Sequence, residues 1–388
     1  MTGPRVLIAY SDTGGGHRSA ARAIAEALGA QRDDVAIASV DVLADWSGWP
    51  FHRMPGFYPR LIAHAPWAWG TGFSLSDTPR RARWLQRAAW PLVRDGLHRL
   101  ARTHPADVIV TTHPLLVAPL RRAYPDVPLV TVVTDLVSGH AWWYDAAADL
   151  VVVPTGAART RALECGVPAG RIATLGLPVA AEALVVVEDR AQLRRALGWD
   201  ASRPTVLLAG GADGMGPLEA LARAIDAAPL DCDIAVVCGR NAALRSRLEA
   251  RRWRSRVHVH GFVPHFPQLL RAAAAVVTKA GPGTIAEACV AGCPMILAGA
   301  IPGQETGNVR FVTEGSAGVW APSPEAVVTA LGAWLEPRDG PGALRRAATA
   351  ARRLARPHAA RDIAAHVLAL AQRTTVVEKA TPSASAAA

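Results

Sequence analysis

Short β-branched runs alternate with helical patterns along almost the whole chain, and near residue 200 the alternation starts again. Val6–Tyr10, Val35–Val40, Asp107–Thr111, Leu129–Thr134 and Leu150–Val153 form the first series. Thr205–Ala209, Asp233–Val237, Arg256–Val259, Val276–Thr278 and Met295–Leu297 form the second, separated by stretches of helical periodicity such as Leu218–Ala227 and Ala242–Arg252. Apolar strands joined by helical crossovers predict parallel sheets covered by helices on both faces. At 388 residues there is room for two such cores. The fold class is therefore α/β, with two Rossmann-like, doubly wound parallel-sheet domains. The boundary falls where Leu177-Pro178 precedes a charged helix, which gives an N-terminal domain over 1–178, a linker over 179–202 and a C-terminal domain over 203–355. Residues 356–373 read as a helix packing back towards the first domain, and the small, polar 374–388 as a disordered tail. Two domains of this kind facing each other put the carboxyl ends of both sets of strands around a central cleft, where ligands bind in open α/β sheets.

Each series carries a glycine-rich turn after its first strand. In the first, Gly14, Gly15 and Gly16 separate the strand from an amphipathic helix with His17 at its entrance. Glycines let the backbone approach a ligand, and the helix start points unpaired N–H groups and a positive dipole end at it. A histidine there, with one ring nitrogen fixed by a neighbour, can take a proton from a hydroxyl with the other. An ordinary βα turn and a helix-capping histidine fit the same residues. The segment is neither a P-loop, which ends in Gly-Lys-Ser/Thr, nor a G-x-G-x-x-G dinucleotide fingerprint. In the second series Gly210–Gly216 mirrors the first turn, and it fits either a diphosphate ligand or a purely structural turn. Lys279-Ala-Gly-Pro-Gly-Thr-Ile-Ala-Glu-Ala288 and Pro302-Gly-Gln-Glu-Thr-Gly-Asn308 follow two later strands. Glu287, one helical turn in, suits the paired hydroxyls of a ribose, and Gln304, Glu305 and Asn308 suit the hydroxyls of a sugar.

The remaining features narrow the class. The amino terminus has no basic, then apolar, leader pattern, and no run approaches the roughly 18 apolar residues of a membrane span; the reading is a cytoplasmic protein. Cys165, Cys232, Cys238, Cys289 and Cys293 have no metal-knuckle spacing and fit buried thiols in a reducing compartment. A net charge of +10 calls for an anionic partner. Half of the 12 tryptophans, Trp46, Trp49, Trp67, Trp69, Trp84 and Trp90, lie among Arg53, Arg60, Arg80, Arg81, Arg83, Arg87 and Arg94. That mixture suits an anionic membrane surface, and equally a core cluster beside a solvated basic face. No nucleic-acid motif accompanies the charge. The triplet Asp231-Cys-Asp233 reads as the polar entry to a strand, and His258, His260 and His265 as structural; no metal site is expected.

Six motifs in order resemble the GT-B glycosyltransferases of the family that holds monogalactosyldiacylglycerol synthases, processive diacylglycerol glucosyltransferases and, more distantly, the transferase that makes peptidoglycan lipid II. They are Thr13–His17, Thr112-His113-Pro114, Thr134-Asp135 with His140 and Trp142 or Trp143, Gly176-Leu177-Pro178, the Lys279–Glu287 helix start and the Pro302–Asn308 loop. The resemblance implies inverting transfer of a hexose, whether glucose, galactose or N-acetylglucosamine, from a UDP-sugar to a lipid or other hydrophobic acceptor. It makes His17 the base or the orienter of the acceptor hydroxyl, with Asp135 orienting His17 or that hydroxyl. Gly15, Gly16, Gly211, Gly214, Gly281, Gly283 and Thr284 would surround the donor, Phe262 and Val263 the uracil, Glu287 the ribose, and Gln304, Glu305 and Asn308 the donor sugar. His113, His140, Trp142 and Trp143 would meet the acceptor. No cofactor is implied, since helix starts can stabilise a leaving diphosphate without a metal. Where related chains often carry two glycines, this one has Gly281-Pro282-Gly283, and Pro282 has no N–H to give a phosphate. A UDP-sugar 2-epimerase, a transferase acting on a soluble aglycone and a non-enzymatic lipid carrier are the competing readings; the carrier predicts loss of Gly-His or Gln-Glu-x-x-Asn, and both are present.

Overall fold

The computed structural model describes residues 3–13, 15–54, 56–57, 61, 64–185, 189–336 and 340–380. Gly14, the first glycine of the turn before His17, lies outside them, as does Arg60 of the basic cluster. The chain divides into two compact units. One takes its residues from Met1–Tyr58, Gly72–Ala180 and His358–Ala388, the other from Pro59–Thr71 and Ala181–Pro357.

The first unit holds six parallel strands, β1 (Arg5–Tyr10), β2 (Ala36–Asp41), β3 (Val108–Thr111), β4 (Leu129–Val132), β5 (Leu150–Val153) and β6 (Ile172–Thr174), in the order β2-β1-β3-β4-β5-β6. Successive side chains alternate between two cores, as the period of a strand requires. Leu7, Ile109, Leu129 and Val151 face one side, with Leu97 and Leu100 from the Pro79–Thr103 helix. Val6, Ile8, Val108 and Val130 face the other, where Ile24 and Leu28 of the Gly16–Gln31 helix meet Ile363 and Val367 of the terminal helix. That terminal helix runs Ala359–Ala380, so it takes up residues 374–380, which the composition had assigned to the tail. Once a helix is anchored by packing, each further residue closes a backbone hydrogen bond at little cost. Residues 381–388 lie outside the described set.

The second unit holds β7 (Thr205–Ala209), β8 (Asp233–Val237), β9 (Val257–His260), β10 (Ala275–Lys279), β11 (Met295–Gly299) and β12 (Gly318–Trp320), all parallel, in the order β12-β11-β10-β7-β8-β9. Its central strands are fully buried, with Val206, Leu208, Ile234, Val236 and Val277 in one core. The edge strands β6 and β12 escape a pattern search because each has only three residues.

In both sheets the order reverses direction once. The reversal lies between β1 and β3 in the first and between β7 and β10 in the second. Open α/β sheets bind ligands at the carboxyl ends of the strands flanking such a switch point. Those ends carry the Ser11–His17 turn and Thr112-His113 in one unit, and Gly210–Gly216 and Lys279–Thr284 in the other. Among the described residues no helix is long and apolar enough to cross a membrane.

Candidate active site

At the first switch point Gly15 is the N-cap of the Gly16–Gln31 helix with φ 85°, a left-handed conformation that a side chain at this position would resist. The reversal brings His17 one residue into the helix and under the end of β3. Its Nδ1 lies 2.6 Å from the Thr112 carbonyl and 3.1 Å from the Thr134 hydroxyl, while the Thr112 hydroxyl donates to the His17 carbonyl at 2.9 Å. A carbonyl only accepts, so Nδ1 carries the proton and Nε2 keeps its lone pair. Burial lowers the His17 pKa to about 4, against the backbone hydrogen bond to Thr112, which raises it. The ring is therefore neutral at pH 7. His113 meets it edge-on at 4.6 Å between centroids and has its Nε2 3.1 Å from the Thr13 hydroxyl.

Asp135 was expected to orient His17 or the acceptor hydroxyl. The groups on His17 are the Thr112 carbonyl and the Thr134 hydroxyl. Asp135 is buried and accepts the Trp143 indole N–H at 2.7 Å. Trp143 itself is wholly buried in the core, 5.9 Å from the His17 ring, so it supports the loop rather than lining its mouth. His140 accepts the Trp142 amide at Nδ1 and gives its Nε2 proton to the Ser76 hydroxyl, at 3.1 and 3.0 Å; burial lowers its pKa to about 4. Both ring nitrogens are thus spent within the fold. Trp142 stays half-exposed, with its indole N–H on the Ala82 carbonyl at 3.3 Å. Of the four expected acceptor contacts, Trp142 is the one with an exposed flank.

The second switch point is built from glycines and one charged pair. Gly211 and Gly214 both have positive φ, and a Cβ on Gly214 would run into the Cys238 carbonyl, so the loops after β7 and β8 interlock through backbone. Asp213 and Arg240 pair across them at 2.8 Å. Beside β7, the Pro282–Ala291 helix starts at Gly281 with no capping side chain, which leaves the amides of Gly283 and Thr284 pointing out. Glu287 is half-buried one turn in, and Gln304 half-buried in the loop after β11. Glu305 is buried, pairs with Lys279 and accepts the Ile301 amide at 2.9 Å. Asn308 is fully buried and donates to the Ala280 carbonyl at 2.9 Å. Two of the three residues expected on the donor sugar, Glu305 and Asn308, thus tie the loop to the end of β10. Phe262 is 56% exposed and Val263 half-buried on the turn after β9, two strands from β7.

Three residues of this geometry were within the quoted motifs but unassigned: Thr112, Thr134 and Lys279. Only Lys279 carried a signal, as a lysine closing a buried strand before a glycine-flanked helix start. Asp231 and Asp233 both lie on Arg203, at 3.0 and 3.3 Å. All five cysteines are buried free thiols.

The sequence model of the monogalactosyldiacylglycerol (MGDG) synthase family matches residues 17–179, and that of the glycosyltransferase family 28 C-terminal domain matches residues 205–307. A probable monogalactosyldiacylglycerol synthase 2, chloroplastic, of Oryza sativa subsp. japonica is 35% identical over 96% of this chain and 82% of its own. The chain belongs to the MGDG synthase family. It is a UDP-sugar-dependent glycosyltransferase, and the family match favours that reading over an epimerase where the fold could not. Acinetobacter baumannii MurG aligns with a TM-score of 0.60 at 14% identity, covering 94% of this chain and 99% of that one. A UDP-GlcNAc 2-epimerase from Neisseria meningitidis aligns with the same TM-score at 11% identity, covering 94% and 100%. Both share the GT-B architecture with this member of the MGDG synthase family.

Proposed function

We propose that the chain transfers galactose from UDP-galactose to the free hydroxyl of diacylglycerol in one inverting displacement, with His17 as the base. The observation that carries this is the fixed tautomer of His17: Nδ1–H on a carbonyl, Nε2 unprotonated, at a glycine turn on a sheet switch point. The names of its relatives in Oryza sativa and Arabidopsis thaliana, monogalactosyldiacylglycerol synthases, support the sugar and the acceptor. A neutral imidazole takes the hydroxyl proton as the oxygen bonds to C1 and becomes more acidic. The electron pair of the broken bond leaves with UDP. The nucleotide belongs to the second unit, with Glu287 on the ribose and the Gly210–Gly216 and Gly281–Thr284 turns on the diphosphate.

The lipid is met at an anionic membrane surface, through the exposed face of the Pro79–Thr103 helix. Arg80, Arg83, Arg87 and Arg94 are exposed on the same helix as Trp84, which is 67% exposed, while Ala82, Val93 and Leu97 face the core. Arginine around an exposed indole suits a headgroup layer. The nucleotide-sugar donor and five unpaired thiols favour the cytoplasmic side.

Labelled UDP-hexoses offered with diacylglycerol in anionic vesicles test the whole reading. The expected product is a monohexosyl lipid from UDP-galactose and from diacylglycerol alone among the acceptors. Label found in UDP-sugar epimers without any acceptor, or in a water-soluble glycoside, refutes it. Arg83→Ala with Arg87→Ala should weaken vesicle binding by roughly 2 kcal/mol, since each arginine near an anionic surface contributes about 1 kcal/mol.

A further inference from the structure

Lys279 closes β10, and the pairing of β10 with β11 slips just before it: Thr278 faces Leu297, but Lys279 faces Gly299. A bulge re-aims the side chain beside it. The Lys279 ammonium is turned onto the Glu305 carboxylate and stands against Gly281, where a Cβ would come within 3.0 Å of Nζ. Gly281 caps the Pro282–Ala291 helix, whose first residue is a proline. That helix start therefore offers one amide fewer than an ordinary one. The Lys279 side chain is 24% exposed, and its ammonium supplies positive charge at the same place.

Glu305 is arranged to hold this lysine. One carboxylate oxygen takes the ammonium and the other accepts the Ile301 amide at 2.9 Å, while the Glu305 amide donates to the Ile301 carbonyl at 2.9 Å. The loop from Ile301 to Glu305 is thereby closed on itself. Two of these bonds engage both carboxylate oxygens before any ligand arrives.

We propose that Lys279 is the cation that holds the donor's diphosphate and meets its charge as UDP departs, and that Glu305 is a positioning residue that keeps the ammonium at the helix start. The proposal rests on the UDP-sugar reading above. In the transfer step the acceptor oxygen bonds to C1, the bond from C1 to the diphosphate oxygen breaks, and its electron pair stays on the diphosphate beside Lys279 and the Gly283 and Thr284 amides. The acceptor proton goes to the base. Preorganised positive charge at the leaving oxygen lowers the barrier without reorganisation.

Calorimetric titration of the full chain with UDP, UDP-galactose and uridine tests it, in the wild type and in Lys279→Met, Lys279→Arg, Lys279→Gln and Glu305→Gln, with folding checked by circular dichroism. Lys279→Met should lose about 10- to 100-fold in affinity for UDP and none for uridine, with a flatter salt dependence, and Lys279→Arg should recover most of the loss. Glu305→Gln should shift UDP and UDP-galactose by the same factor. Should the methionine variant not fold, Lys279→Gln carries the same expectation. Unchanged UDP affinity, or equal losses for UDP and uridine, overturns the role of Lys279. A Glu305→Gln protein that weakens UDP-galactose alone makes Glu305 a sugar contact and overturns the positioning role. A wild-type protein that binds no uridine nucleotide refutes the UDP-sugar reading itself.

Discussion

The turn after β1 and the helix start after β10 occupy equivalent places, each beside the switch point of a six-stranded parallel sheet, yet they are electrostatic opposites. The first holds a neutral imidazole among uncharged partners, a backbone carbonyl and a threonine hydroxyl. The second holds an ammonium against a buried carboxylate at a helix start. The difference follows from what each end of a transfer reaction must do. A base has to begin uncharged and finish charged, whereas the group receiving a leaving diphosphate has to be charged from the outset. The same scaffold supplies both because the switch point sets where a ligand binds and leaves the chemistry to the loops.

Removing the imidazole breaks the comparison most severely. His17→Ala should lower kcat by about 10²- to 10⁴-fold while UDP affinity, measured by calorimetry, stays within about threefold of the parent. A comparable loss of UDP binding would mean that the first turn also grips the nucleotide. Acid stability comes next. His17 has a folded pKa of about 4 against 6.5 unfolded, so below pH 6.5 the unfolded chain takes up the proton first. The stability contributed by keeping the ring neutral is complete above pH 6.5 and is lost progressively down to about pH 4, by up to about 3 kcal/mol. Urea midpoints for wild type and His17→Gln should therefore diverge less at pH 5 than at pH 7, and parallel curves would contradict a buried neutral ring.

Glu287→Ala should weaken UDP binding by about 10-fold, the value of one or two hydrogen bonds to a charged group, and 2′-deoxy-UDP should show a smaller penalty. Equal penalties for both nucleotides would remove Glu287 from the ribose. Thr134→Val should have the smallest effect, a fall in kcat of about fivefold with unchanged KM for the donor, because the Thr112 carbonyl still holds the tautomer. An unchanged kcat would leave Thr112 as the sole orienting group.

Much of this was legible in the chain. Continuous β-branched runs mark the central strands, glycine runs mark the turns, and His17 stands out as the histidine at the entrance of the first helix. Its partners did not stand out, since Thr112 and Thr134 are 95 and 117 residues away and one contributes only a backbone carbonyl, which every residue type possesses. Asp135 drew attention because carboxylates commonly orient catalytic histidines, and the tertiary structure adds the Trp143 indole N–H as a partner of one of its oxygens. Likewise Glu305 and Asn308 are chemically suited to sugar hydroxyls, and only the fold shows that Glu305 forms an ion pair with Lys279, where the register of β10 and β11 shifts. Trp143 illustrates the converse: an aromatic in a motif reads as a ligand surface until burial shows that the core uses it.

The sequence by itself determined the two α/β units, the positions of their glycine turns and the membership of the glycosyltransferase family, because hydrophobic periodicity and turn chemistry are local properties of a chain. Only the tertiary structure decided which nitrogen of His17 is free, that Lys279 and Glu305 form one charged pair, and which aromatic side chains are core. These depend on strand order, register and a one-residue bulge. Such features bring distant residues within 3 Å of one another, and hydrogen bonds and ion pairs are decided at that distance.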